Sequence, residues 1–263
     1  TTHKDTGSDK DPWETTKNNP AVPQQVVPRH KTPKLFSIFF LVFLVQTMTE
    51  AVCFSIDSLV DSRLENIVFN VAIPLIIVMK NETQFAIARD MLKKNLRELS
   101  KKHPSFYYSL ETLSTFLDID YNLLVDLYEY LSELYVTKIH LADEILRALH
   151  TRGIRNIVYT RSDPAIEEIK LTSAGLREYI DTIISLPETF GILRGTTVFE
   201  KIANHIIKHG YASSKDEILL VTPNLDDYLD AHNAGLRVVW FSKYGELRTG
   251  NQILTLREIM DFL

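Results

Sequence analysis

From Ala51 onward, short apolar runs alternate with stretches of helical periodicity. That rhythm restricts the chain to an α/β fold in which a parallel sheet is covered on both faces. The runs are Ala51 to Ile56, Asn156 to Thr160, Thr182 to Ser185, Ile218 to Val221 and Val238 to Phe241. Each is too short for a helix and reads as a buried strand. Helical patterns separate the later runs at Ala165 to Ala174, Val198 to His209 and Leu225 to Ala234. A last amphipathic helix is expected from Leu254 to Leu263, with Leu256, Ile259, Met260 and Leu263 on one side.

The first two runs are far apart, and residues 62–150 between them are helical in pattern. Ala86 to Leu99, Ser109 to Phe116, Tyr121 to Tyr130 and Ala142 to Leu149 each show it. Leu123, Leu124, Leu127, Tyr128 and Leu131 recur at helical spacing and are expected in the core of this insert. The very apolar run Ile67 to Met79 contains Asn70 and Pro74 and reads as a packed helix of the insert. Asp118-Ile-Asp120 reads as a turn that caps the following helix.

Ahead of the first strand the character changes. Residues 1–34 contain Pro20, Pro23, Pro28 and Pro33, mixed charges and almost no apolar periodicity, so they read as an extended tail. Residues 35–49 are uncharged and Phe-rich, with Arg29, His30, Lys31 and Lys34 before them and Glu50 after. They fall short of the roughly 20 residues that span a bilayer. Three readings stand: a short membrane anchor with a basic flank, a helix buried against a partner or the chain's own domain, and an uncleaved signal-like segment.

The 263 residues suffice for one substantial domain plus this extension. A net charge of -5 gives no basic footprint for nucleic acid. The one cysteine, Cys53, excludes an internal disulfide framework. His205 and His209, four apart on one expected helix, read as surface or packing residues without a third ligand. Asn81-Glu82-Thr83 matches a glycosylation sequon with nothing else to support secretion.

Four segments between Ala51 and Leu263 resemble the haloacid-dehalogenase-like (HAD-like) hydrolases. Val52-Cys-Phe-Ser-Ile-Asp-Ser-Leu-Val-Asp-Ser62 is similar to their opening apolar-Phe-Asp-x-Asp-x-Thr-Leu-x-Asp-Ser. Ile157 to Thr160 is similar to the strand that ends in a phosphate-holding hydroxyl. Thr182 to Ser185 followed by Val198 to Ala203 resembles the Lys-Pro-x-Pro stretch and its Phe-led helix. Leu220 to Trp240, closing on Asn-Ala-Gly-Leu-Arg-Val-Val-Trp, resembles the Gly-Asp-Ser-x-x-Asp segment. The insert is similar to the helical cap of the pyrimidine-nucleotidase-like branch. The resemblance implies a Rossmann-like parallel sheet from residues 50–61 and 151–263, with a helical cap inserted at 62–150.

In that family a carboxylate attacks phosphorus, a second Asp two residues on moves protons, and Mg²⁺ offsets the phosphate charge. This chain departs at the decisive positions. Ser55 stands for the nucleophile, while Asp57 keeps the second carboxylate and Leu59 replaces the usual Thr. Thr160 is retained. The usual Lys falls at Leu193, with Arg194 beside it as a substitute. Thr222-Pro223 replaces Gly-Asp, with Asp226 and Asp227 nearby and Asp227 at the segment's second acidic position. The degenerate set Ser55, Asp57, Thr160, Arg194, Pro223 and Asp227 therefore implies no catalytic residues, no metal site and no cofactor.

The expectation is a catalytically inactive HAD-like scaffold or accessory subunit of a larger, membrane-bound assembly. Its partners would be protein subunits, with possible membrane contact through residues 35–48 and no nucleic acid. A mitochondrial membrane complex is the expected location, resting on the Thr1 start, the single cysteine and the apolar run. Two alternatives remain open: a phosphatase or nucleotidase using Asp57, and a module that binds a phospho-ligand through Thr160 and Arg194 without turnover.

Overall fold

The computed structural model describes residues 48–102, 109–192, 194–243, 245 and 251–263. The expected tail, nearly all of the apolar run and Leu193 lie outside the described residues.

The core is a six-stranded parallel sheet. Its strands are β1 (Ala51–Ser55), β4 (Arg155–Thr160), β5 (Thr182–Ser185), β6 (Ile218–Thr222), β7 (Arg237–Phe241) and β8 (Gln252–Ile253), in the order β5-β4-β1-β6-β7-β8. The fold class is the expected one. β1 is buried along its whole length because it pairs on both sides, Ala51 to Ser55 with β4 and Ala51 to Phe54 with β6. Alternation along the strands divides the core. Val52, Phe54, Val158, Leu219 and Val221 face one apolar cluster, whereas Ala51, Cys53, Ile157, Ile218 and Leu220 face the other. Helices α5 (Ala142–Thr151) and α6 (Pro164–Ser173) pack into the first cluster; α8 (Thr196–Lys208) and α9 (Leu225–Asn233) pack into the second.

The insert hangs from an antiparallel ribbon that the periodicity did not reveal. β2 (Val60–Ser62) pairs with β3 (Val136–Lys138), and residues 64–135 lie between them. Those residues form α1 (Leu64–Asn81), α2 (Phe85–Lys102), α3 (Leu110–Leu117) and α4 (Tyr121–Tyr135). α5 follows the ribbon and packs on the sheet, against β4 and the C-terminal segment, and the Asn156 side chain of β4 donates to its Leu146 carbonyl. Ser109 caps α3 and Asp120 caps α4, each accepting a backbone N–H. α1 contains a π turn at Val68–Ala72, just ahead of Pro74, whose ring cannot be accommodated by a regular turn. By length and composition alone α1 could cross a membrane. Leu64, Val68 and Ile73 are nevertheless fully buried in the core that joins insert and sheet.

The C-terminal α-helix expected at Leu254 to Leu263 is a 3-10 helix, Leu256–Phe262. Its two buried side chains, Leu256 and Ile259, are three apart, which suits a period of three residues per turn. Thr255 and Glu258 form a capping box at its start. The short α7 (Leu186–Phe190) continues directly from β5.

Candidate functional site

Parallel strands bring their carboxyl ends to one edge, and a crevice opens where successive connections leave in opposite directions. Here that point is β1, flanked by β4 and β6. Ser55 ends β1 beside Tyr159 of β4, and Thr160 follows Tyr159. Ser58, in the turn after β1, donates its hydroxyl to the Val221 carbonyl at 3.2 Å and fixes that turn against β6. A cavity of about 420 Å³ opens there, walled by Ser55, Asp57, Thr160 and Arg161 from the sheet side. Glu65 and Tyr128 of the cap, with Glu167 and Lys170 of α6, close its other side.

The family-like positions separate in space. Ser55, Asp57 and Thr160 wall the cavity. Asp227 lies just behind it, joined through Arg161. Pro223 sits in the loop after β6, where its carbonyl accepts from the Trp240 indole at 3.1 Å. Arg194 is exposed and outside the cavity wall.

Asp227 is held by three donors. Arg161 donates through Nη1 at 3.1 Å and through Nη2, and the Tyr159 hydroxyl donates at 3.0 Å. The carboxylate is 2% exposed. Asn224 caps α9 by accepting from the Asp226 and Asp227 amides, which sets the side chain's direction. Burial, followed by the Asp227 charge, pushes the Tyr159 phenol well above its ordinary range. Burial alone would lower the Arg161 guanidinium, but Asp227 outweighs it and holds the charge firmly.

A second buried network lies across the cavity. Thr160 donates to Glu167 Oε1 at 3.0 Å and accepts from the Ser162 amide at 3.0 Å. Lys170 contacts the same Glu167 oxygen at 3.3 Å and also pairs with Glu65 of α1, tying the cap to the sheet-side helix. Burial raises the Glu167 carboxyl, with Lys170 opposing. Burial pulls Lys170 down, but Glu167 and Glu65 together leave it above its ordinary value. Asp57 opens to solvent through the cavity, yet the protein crowding around it is enough to raise its carboxyl; Lys170 and Lys243 oppose.

Arg161, Glu167, Lys170 and Glu65 are absent from the residues the sequence singles out. One signal was available. Glu167 and Lys170 share α6 with Ile166 and Leu171, so two charges occupy a stripe that must be buried. Tyr128 is in the expected core, is fully buried and borders the cavity.

No family model matches the sequence, and no curated protein does. Solved structures do match. A HAD phosphatase from Thermococcus onnurineus is 21% identical, aligned over 81% of this chain and 96% of its own, with a TM-score of 0.61. A predicted phosphoglycolate phosphatase from Haemophilus somnus 129PT is 16% identical over 82% and 99%, with a TM-score of 0.55. The putative HAD-hydrolase YfnB from Bacillus subtilis, bound to magnesium, is 16% identical over 82% and 99%, at 0.51. The chain therefore has the HAD-like hydrolase fold: a Rossmann-like sheet with an inserted helical cap.

The resemblance of the sequence to the phosphatases of that family implies a magnesium ion between the Ser55 position and the acidic segment after β6. The residues present do not fit one. Ser55 brings no charge, Pro223 brings no side-chain oxygen, and Asp227 already accepts from Arg161 and Tyr159. Among the described residues, no three His, Cys, Asp or Glu side chains group as metal ligands.

Proposed function

We propose that this chain is a catalytically inactive HAD-like protein serving as a scaffold or accessory subunit of a larger assembly. The observation that carries the reading is the Arg161–Asp227–Tyr159 cluster behind Ser55. It uses Asp227, the second of the two acidic residues that follow β6, for internal structure. Phosphoryl transfer through an aspartyl intermediate needs a carboxylate where Ser55 stands, and a serine hydroxyl there carries no charge. Asp57 is the one group the hydrolase alternative would use. Phosphomonoesters with Mg²⁺ are expected to turn over at background rates; turnover that disappears in Asp57→Asn would establish the hydrolase instead. Ser55→Asp alone is expected to leave turnover at background and to lower stability. It adds a carboxylate at a position 5% exposed without restoring a metal ligand near Pro223.

The assembly half of the proposal draws on two apolar features. Residues 35–48 carry nine Leu, Val and Phe side chains without a charge. Each contributes on the order of 1.5–3 kcal/mol when fully removed from water. On the cap, Val71, Leu75 and Met79 of α1 and Ile87 and Met91 of α2 are exposed. The reading places the subunit at a membrane, in mitochondria, with residues 35–48 as its attachment. Deleting residues 1–48 is expected to leave a folded domain that no longer fractionates with membranes or with its complex. Retention of the truncated form in the same complex would move attachment to the folded domain.

A further inference from the structure

Helix α4 carries two apolar stripes and buries one. Leu124, Tyr128 and Leu131 pack into the core. Leu123, Leu127, Tyr130 and Leu134 form the second, at the i, i+4, i+7 and i+11 spacing with which one helix meets another. Leu123, which its spacing placed in the core, is half exposed; Tyr130 is 65% and Leu134 59% exposed, and Leu127 is half-buried. Apolar side chains scattered singly on a surface are ordinary, whereas a line of them along one helix marks a contact face. Asp126, Glu129 and Glu133 run beside this line, all exposed, and α4 contains no Lys, Arg or His.

Helix α2 has the opposite character. Its buried stripe is Ala88, Leu92 and Leu96. Ile87 and Met91 share an exposed face, and Lys94 continues that face three residues on. Lys93 and Arg97 are exposed beside it. Between Phe85 and Glu98 the helix holds four cations against Asp90 and Glu98, in a chain whose net charge is -5. Arg89 and Asp90 pair with each other at 3.9 Å. Among the described residues, none of Lys93, Lys94, Arg97, Asp126, Glu129 and Glu133 enters an ion pair.

We propose that the cap joins two copies of this chain, with α4 of each copy against α2 of the other in a two-fold dimer. The apolar line of α4 meets Ile87 and Met91, and its carboxylates meet the three unpaired cations. A chain with acid on one helix and base on another is self-complementary across such an axis, and two-fold dimers are the commonest oligomers. A contact of α4 on α4, or of α2 on α2, would set like charges together. An anionic lipid surface would accept α2 but would repel the carboxylates of α4 and leave its apolar line uncovered. The inference goes beyond the accessory-subunit reading, and failure to dimerise leaves that reading in place.

The test is sedimentation velocity of the full-length protein in mild non-ionic detergent. A concentration-dependent dimer is expected, weaker at high salt. Glu129→Lys with Glu133→Lys is expected to weaken self-association at least about tenfold, and Lys93→Glu with Arg97→Glu as much, because each sets like charges face to face. Mixed with each other, these two variants are expected to form a one-to-one dimer, since both reciprocal contacts then join opposite charges. Tyr130→Ser with Leu134→Ser leaves every charge in place and is expected to give monomer as well; it decides the matter if a charge variant does not fold. The proposal is overturned by a wild-type monomer, by a dimer that none of these variants weakens, or by a mixture of folded charge variants that stays monomeric. It is overturned equally if wild-type monomer binds phosphatidylserine vesicles and Lys93→Glu with Arg97→Glu abolishes that binding.

Discussion

Replacing Asp227 with alanine is expected to destabilise the fold by about 3–5 kcal/mol, the usual cost of removing one partner from a buried ion pair. The carboxylate is 2% exposed and accepts from both terminal nitrogens of Arg161 and from the Tyr159 hydroxyl. Its loss strands a guanidinium that is itself mostly covered and a phenol inside the second apolar cluster. For a chain of this size the drop in Tm would be about 6–20 °C. The double variant Asp227→Leu with Arg161→Met is expected to recover a substantial part of the loss, because removing both charges removes the uncompensated one. Urea denaturation of the three proteins checks this. A loss under about 1 kcal/mol in Asp227→Ala would show that solvent screens the pair and that it is not a structural replacement for a metal site.

Lys170→Met is expected to cost about 3–5 kcal/mol at pH 8 and clearly less at pH 5. Lys170 is 6% exposed and neutralises Glu167, which is 1% exposed. The sign follows from linkage. The folded Glu167 carboxyl lies above its unfolded value, so the folded state holds a proton there after the unfolded chain has released it. Stability from that group is therefore lost as pH rises from about 4.3, the unfolded value, toward the folded one. Removing Lys170 removes the charge that restrains this upward shift, so the window widens and the deficit against wild type grows with pH. Lys170 itself titrates far above this range, because Glu167 and Glu65 outweigh its burial. Denaturant titrations of both proteins at the two pH values give the comparison. Equal deficits would mean that Glu167 is already neutral at pH 8 in both.

Both variants act on residues that no sequence pattern pairs. Arg161 and Asp227 are 66 positions apart, and Glu65 and Lys170 lie on an insert helix and a sheet-side helix. Their meeting depends on the order of the strands and the placement of the cap. By contrast, five of the six strands were legible as short apolar runs, and most plainly β1 and β6, because a strand buried on both faces is apolar along most of its length. Caps such as Asp120 were legible because capping is a local contact.

The sequence by itself determined the alternation of strands and helices, the existence of a large helical insert, and the chemical identities at the end of β1: a serine where a nucleophilic carboxylate is expected, with Asp57 two residues later. These are local properties, carried by composition and period over a few residues. Only the tertiary structure decided that α5 belongs with the sheet and that β2 and β3 form the ribbon beneath the cap. Strands of three residues leave too short a pattern to read, and a helix shows which of its faces is apolar without showing what will cover it. Only the tertiary structure turned Arg161 and Tyr159 onto Asp227 and gathered Asp57, Glu65 and Glu167 around one lysine. A charged side chain's partner is chosen by distance in space. In this fold that distance is set by a parallel sheet whose neighbouring strands β1 and β6 are separated by most of the chain.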